Sequence, residues 1–225
     1  MKILAVDTSS GSCSVAVIEN SNLLAEIIKA DGETHSRHLM DMIKKVLELS
    51  GLILFDIDGF AVTKGPGSFT GLRIGISSVK GLAAATGKPL AGISTLDALA
   101  AQVYPTPYIV CSLIDARKGE VYSSRYRFID GLIQKVTMEE AFLPVKSADG
   151  IGEPCLFIGD GASLYRDIIE KKLGNLARFL PPLFNVIRAS TVAFMSLKKF
   201  ENNDTVDAAL FAPNYIRKSD VKLKL

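Results

Sequence analysis

The sequence is poor in reactive side chains. Its 225 residues include two histidines, three cysteines and no tryptophan, and both histidines fall in one short stretch, His35-Ser36-Arg37-His38. So little imidazole and thiol leaves few candidates for acid–base, nucleophilic or metal chemistry. Cys13, Cys111 and Cys155 lie far apart, form no C-x-x-C pair and are odd in number. That excludes a disulfide framework and a thiolate zinc site, and it predicts core-filling thiols in a reducing compartment. Long apolar runs are missing as well: Lys88 and Pro89 break the longest candidate, 81–101, below the roughly 18 residues of a membrane span. Residues 3–6 are too short for the apolar core of a signal peptide, so the expectation is a cytoplasmic protein with no membrane contact. Charge of one sign is also lacking. Lys and Arg total 26 against 24 Asp and Glu, a net +2, which excludes a general nucleic-acid coat.

What is present is an ordinary globular composition, 48% hydrophobic and 22% charged. Apolar runs at 3–6, 13–18 and 23–28 predict a three-stranded meander. Leu39, Met42, Ile43, Val46 and Leu47 recur at helical spacing, which predicts a helix over 35–50, capped by Thr34 or Ser36 and stopped by Gly51. A buried strand over 57–63, a Gly65-Pro66-Gly67 turn, a helix from Ser68 or Thr70 to Thr86, a strand at 90–93 and a helix at 95–103 complete a first lobe, 1–103. Tyr104-Pro105-Thr106-Pro107 stiffens the chain and marks the boundary. The second lobe, 104–225, repeats the order: strands at 108–114, 120–128, 132–137 and 155–158, then helices at 162–172 and 190–200, with the last helix and tail able to return to the first lobe. Val6-Asp7-Thr8-Ser9-Ser10-Gly11 and Ile114-Asp115-Ala116-Arg117-Lys118-Gly119 share an apolar strand end, an Asp and a Gly four positions later, which supports duplication.

Duplicated lobes that open with hairpins are the plan of the actin-like ATPase and sugar-kinase folds, whose two turns hold nucleotide phosphates through backbone N–H groups and small hydroxyls. Asp7, Thr8 and Ser9 would form the first such turn. In the second, Ala116, Arg117 and Lys118 stand where small residues would allow close approach, so the nucleotide site reads as degenerate, with residual ATP or ADP binding left open. Gly159-Asp160-Gly161-Ala162 fits either a remnant adenosine turn or a plain helix start. The run from Gly65 to Gly75 fits neither the Walker A nor the dinucleotide spacing, because Leu72 follows Gly71 and Thr70 stands where a third glycine is needed. On its helix, Gly71, Gly75 and Ser78 form a flat strip beside apolar Leu72, Ile76, Val79 and Ala83. Glycine costs a helix about 1 kcal/mol, so the strip predicts a close contact, either internal or at a subunit interface. His35 and His38, with Asp31, Glu33 and Asp41, could share a metal, but the Glu that hydrolytic zinc helices carry between their histidines is missing.

Several segments together resemble the TsaB family: Ile3-Leu4-Ala5-Val6-Asp7-Thr8-Ser9, the His35-Ser36 helix start, Lys64-Gly65-Pro66-Gly67-Ser68-Phe69-Thr70-Gly71-Leu72-Arg73-Ile74-Gly75, Gly92-Ile93-Ser94-Thr95-Leu96, Asp115-Ala116-Arg117 and Pro213-Asn214-Tyr215-Ile216-Arg217. The resemblance implies an α/β, actin-like, duplicated ribonuclease H-like fold of two lobes. It also implies a non-catalytic role in forming threonylcarbamoyladenosine on tRNA, supporting a TsaD-like paralogue together with a TsaE-like ATPase. It puts Thr95 and Leu99 where TsaD carries two metal histidines, so no resident cofactor or metal is expected. It builds the partner surface from the first lobe's two helices: His35, Leu39 and Met42 on one, and Ser68, Phe69, Gly71, Leu72, Arg73, Gly75, Ile76 and Ser78 on the other. A homodimer through the same faces is expected when the paralogue is absent. The C-terminal residues Arg217, Lys218, Lys222 and Lys224 outnumber Asp220 and read as a solvated end, leaving tRNA contact indirect. The readings from another class are a nucleotide-dependent transferase or kinase, or a glycoprotease-like metallohydrolase, active alone.

Overall fold

The computed structural model describes residues 1–30, 35–103 and 106–217. The first sheet is built on β1 (Lys2–Asp7), which is buried from Ile3 to Asp7 because it is covered on both faces. It pairs antiparallel with β2 (Cys13–Glu19), which pairs with β3 (Asn22–Lys29). On the other side β1 runs parallel to β4 (Gly59–Gly65), and β4 to β5 (Leu90–Ser94), for the order β3-β2-β1-β4-β5. Period-2 alternation divides the residues between two layers. Leu4, Val6, Val15, Val17, Phe60 and Val62 face α1 (Leu39–Ser50) and α2 (Phe69–Thr86). The opposite face carries Ile3, Ala5, Ala16, Ala61 and Ala91 against α3 (Thr95–Ala101) and α6 (Ala189–Glu201). Its many alanines let α6 lie close.

The second sheet repeats the plan. β6 (Ile109–Arg117), β7 (Glu120–Ile129) and β8 (Leu132–Lys135) form the meander, and β10 (Cys155–Ile158) and β11 (Ala177–Phe179) join β6 in parallel, giving β8-β7-β6-β10-β11. This is the order of the first sheet, so the shared element order is a topological repeat. A short β9 (Glu140–Phe142) also pairs with β7. The helical layer of this half is α4 (Asp160–Leu164) and α5 (Arg166–Leu173).

Several boundaries differ from expectation, each for a local reason. The first helix begins at Leu39 after a single 3-10 turn at His35–Arg37, because His38 offers no side-chain cap; Thr34 lies outside the described residues. A 3-10 turn at Leu54–Asp56, closed by the Asp56 carboxylate on the Ile53 N–H, delays β4 to Gly59. The expected 162–172 helix is two, offset at Tyr165, whose ψ of 22° departs from helical geometry. β9 and β11, three residues each, are too short to show periodicity. All three cysteines are buried. Tyr104 and Pro105 of the boundary lie outside the described residues; α6 and the segment after it pack on the first sheet, where Phe211 is buried against Gly92 and Lys80 donates to the Phe211 carbonyl.

Candidate functional site

Three places deserve chemistry: the two strand-end turns and the outer face of α1 and α2. In the first turn Asp7 is buried at the end of β1, and its Oδ1 accepts from the Ser9 N–H at 3.2 Å, the Ser9 hydroxyl at 2.5 Å and the Thr63 hydroxyl at 2.7 Å. Its Oδ2 has no partner among the described residues. Burial raises the carboxyl above its ordinary value, against the lowering pull of those hydrogen bonds. The Thr8 hydroxyl donates to the Gly71 carbonyl at 2.7 Å, and the Ser9 carbonyl accepts the Ser68 N–H at 2.7 Å. His35 Nε2 lies 2.8 Å from the Ser10 carbonyl oxygen, holding the 3-10 turn before α1 against the same hairpin.

The second turn uses the same device. Asp115 Oδ1 accepts the Arg117 N–H at 2.9 Å, two residues on, as Asp7 accepts that of Ser9. Arg117, Lys118 and Gly119 all have positive φ, and Asp160 Oδ1 takes the N–H groups of Asp115 and Gly161. Burial raises Asp160 too. The Gly159 N–H goes to Asn185 Oδ1. A phosphate nest needs small residues and uncommitted N–H donors; here the Thr8 and Ser9 hydroxyls and the Ser9 and Arg117 amides serve the chain itself.

The glycines explain how the first turn closed. A Cβ on Gly71 would sit 2.0 Å from the Thr8 carbonyl oxygen, on Gly67 2.3 Å from that of Ser9, and on Gly75 2.3 Å from Thr8 Oγ1. The Gly71/Gly75 strip therefore faces inward against β1, together with Leu72 and Ile76. This corrects their placement on the partner surface: glycine is required by the approach of α2 to Thr8. Met42 is likewise buried against the sheet. Ser68 caps α2 by accepting the Gly71 N–H.

What the two helices present outward is a groove of about 480 Å³ lined by Ser36, Leu39, Met40, Phe69, Thr70, Arg73, Ile74, Ser77 and Ser78. Leu39, Phe69, Arg73 and Ser78 of the sequence-derived surface meet here. Ser36, Met40, Thr70, Ile74 and Ser77 were not placed on that surface, although helical spacing forward from Arg73 (i+4) and back from Ser78 (i−4) would have found Ser77 and Ile74. Thr95 and Leu99 are buried between the sheets, and Thr95 Oγ1 has no partner among the described residues. Among the described residues no three His, Cys, Asp or Glu gather as a metal site; Asp31 and Glu33 lie outside them. No described helix is long and apolar enough to cross a membrane.

A family described as TsaD, tRNA N6-adenosine threonylcarbamoyltransferase, matches residues 22–225. The tRNA threonylcarbamoyladenosine biosynthesis protein TsaB of Bacillus subtilis is 30% identical over 227 aligned positions, covering 100% of this chain and 97% of the relative. The chain belongs to the TsaB family. A Pseudomonas aeruginosa protein described as similar to the peptidase YEAZ superposes with a TM-score of 0.84 at 28% identity, covering 96% of this chain and 99% of that one. The ethanolamine utilization protein EutJ of Carboxydothermus hydrogenoformans, at a TM-score of 0.55 and 14% identity over 86% of this chain and 89% of that one, shows the fold alone. This TsaB-family chain therefore has the actin-like α/β fold that its repeated sheets imply.

Proposed function

We propose that the chain is a non-catalytic subunit in the formation of threonylcarbamoyladenosine on tRNA, which docks a TsaD-like catalytic paralogue on the outer groove of α1 and α2 and works beside a TsaE-like ATPase. The observation that carries this reading is the contrast between the two regions. The turns where an actin-like enzyme would hold phosphate are tied up internally, whereas the groove leaves Met40 51% and Phe69 38% exposed. Exposed apolar side chains gathered between two helices suit a partner's helix. The names of its relatives supply the pathway, and tRNA meets the assembly through the paralogue. A second copy uses the same groove when the paralogue is absent.

Reconstituted tRNA modification tests this. With paralogue and ATPase present, omitting the chain should lower product formation, and Met40→Asp, which puts a charge on the groove, should do the same. Full activity without the chain overturns the proposal. Calorimetry with ATP and magnesium addresses the enzymatic alternative: saturable binding by the isolated chain that Asp7→Ala weakens would favour it.

A further inference from the structure

The groove holds one cation in a fixed pose. The Arg73 guanidinium lies over the Phe69 ring, 3.7 Å from its centroid, and its Nε donates to the Tyr215 hydroxyl at 3.1 Å. Tyr215 packs on the same ring, 5.1 Å between centroids. It belongs to residues 213–217, a strap secured at both ends. The Asn214 N–H donates to the Lys64 carbonyl at 2.6 Å, and Arg217 pairs with Glu120 of the second sheet at 2.9 Å. Arg73 is thus oriented from outside its own helix. Its terminal nitrogens Nη1 and Nη2 make no hydrogen bond among the described residues, and none of the described residues that line the groove is acidic.

A guanidinium held in place by Phe69 and Tyr215, with its outer pair of N–H groups unused by the described residues beside a largely apolar groove, matches a carboxylate bound through two parallel hydrogen bonds. We propose that Arg73 is the specificity anchor of this face and takes the carboxylate of an Asp or Glu on the apposed helix of the partner. The inference rests on the docking reading above. Charge complementarity also separates the two occupants: the described residues of a second copy seated groove to groove bring no lining carboxylate to Arg73, whereas a partner with an acidic residue there does. Tyr215 acts as a positioning residue, since it touches the partner only through Arg73.

The test is calorimetric titration of the full chain with the TsaD paralogue at low and high salt, comparing wild type with Arg73→Gln, Arg73→Lys, Tyr215→Phe and Met40→Asp. Arg73→Gln should weaken binding about tenfold to a hundredfold and flatten its salt dependence. Arg73→Lys should fail to restore it, because an ammonium cannot make the paired contact. Tyr215→Phe, which keeps the ring and loses only the hydroxyl, should weaken binding a few-fold. Unchanged affinity in Arg73→Gln, with Met40→Asp still disruptive, overturns the anchor and leaves the docking reading standing. Wild-type affinity in Arg73→Lys overturns the paired geometry. Wild-type binding by both Arg73→Gln and Met40→Asp overturns the docking reading itself. Arg73, Met40 and Tyr215 are all exposed, so equal melting temperatures will show that the variants remain folded.

Discussion

Thr8 is the residue on which the first lobe closes, since its carbonyl meets Gly71 and its hydroxyl meets both Gly71 and Gly75. Adding a methyl at Gly71 forces backbone against backbone and should cost at least about 2 kcal/mol in denaturant unfolding. Gly75→Ala collides only with Thr8 Oγ1, so Thr8→Ala should relieve it. The double variant is expected to be more stable than the sum of the singles by about 1 kcal/mol, and strict additivity would show that the contact is not the cause. Asp7 gives a pH signature. Burial raises its folded pKa, so its contribution to stability is complete below the ordinary 3.8 and is lost as pH rises through the folded value. Asp7→Asn removes that loss. Melting temperatures between about pH 4 and about pH 7 should therefore fall less in the variant, with Asp160, which burial also raises, contributing to the slope that remains. An equal fall in both proteins would remove Asp7 as the source. Cys13 is silent in that range: burial pushes its thiol up to about 12.

The start of α6 is held by a side chain from another element. Glu26 of β3 accepts the Ser190 N–H at 2.9 Å through Oε1 and receives Arg188 through Oε2, while no side chain local to the helix caps it. Glu26→Ala should therefore cost about 1 to 2 kcal/mol, more than a surface charge is worth, and Arg188→Ala less, because Arg188 is half exposed whereas Glu26 is 6% exposed. Chemical denaturation of the two variants measures the order, and the reverse order would mean that the ion pair matters more than the cap. A cap supplied from 164 residues away leaves no trace in the local sequence. The long amphipathic segments were legible because periodicity is local: the meander, α1, α2 and α6 appear close to their expected bounds. The direction of the glycine strip was not, because Gly71 and Gly75 share a helical face with Leu72, Ile76 and Val79, and small residues alone do not say whether the surface they approach is a partner or the protein's own β1. Tyr215 escaped for a related reason, since its role depends on Phe69 and Arg73, which only the fold brings to it.

At the scale of the whole molecule, the repeated topology hides an asymmetry. The first sheet's inner face is covered by α6, which enters the chain only after the second sheet is complete. Val192, Ala193 and Phe200 of that helix share one buried cluster with Ile3, Ala5 and Ala61 of the first sheet and with Val110, Ile114, Tyr126 and Ile158 of the second. The covalent halves are therefore not the folding halves. A fragment ending at residue 103 retains β1 to β5 and α1 to α3 but leaves the alanine-rich face of Ala5, Ala16, Ala61 and Ala91 open to water. It should keep much of its far-ultraviolet circular dichroism, lose its sharp thermal transition and bind a hydrophobic dye. Adding a peptide of residues 186–217 supplies α6, Phe211 and the strap, and should restore a cooperative transition whose midpoint rises with peptide concentration. A cooperative melt of 1–103 alone would show that the first lobe stands without α6. The intact chain should unfold in one step, since the shared cluster leaves neither sheet able to lose its packing separately.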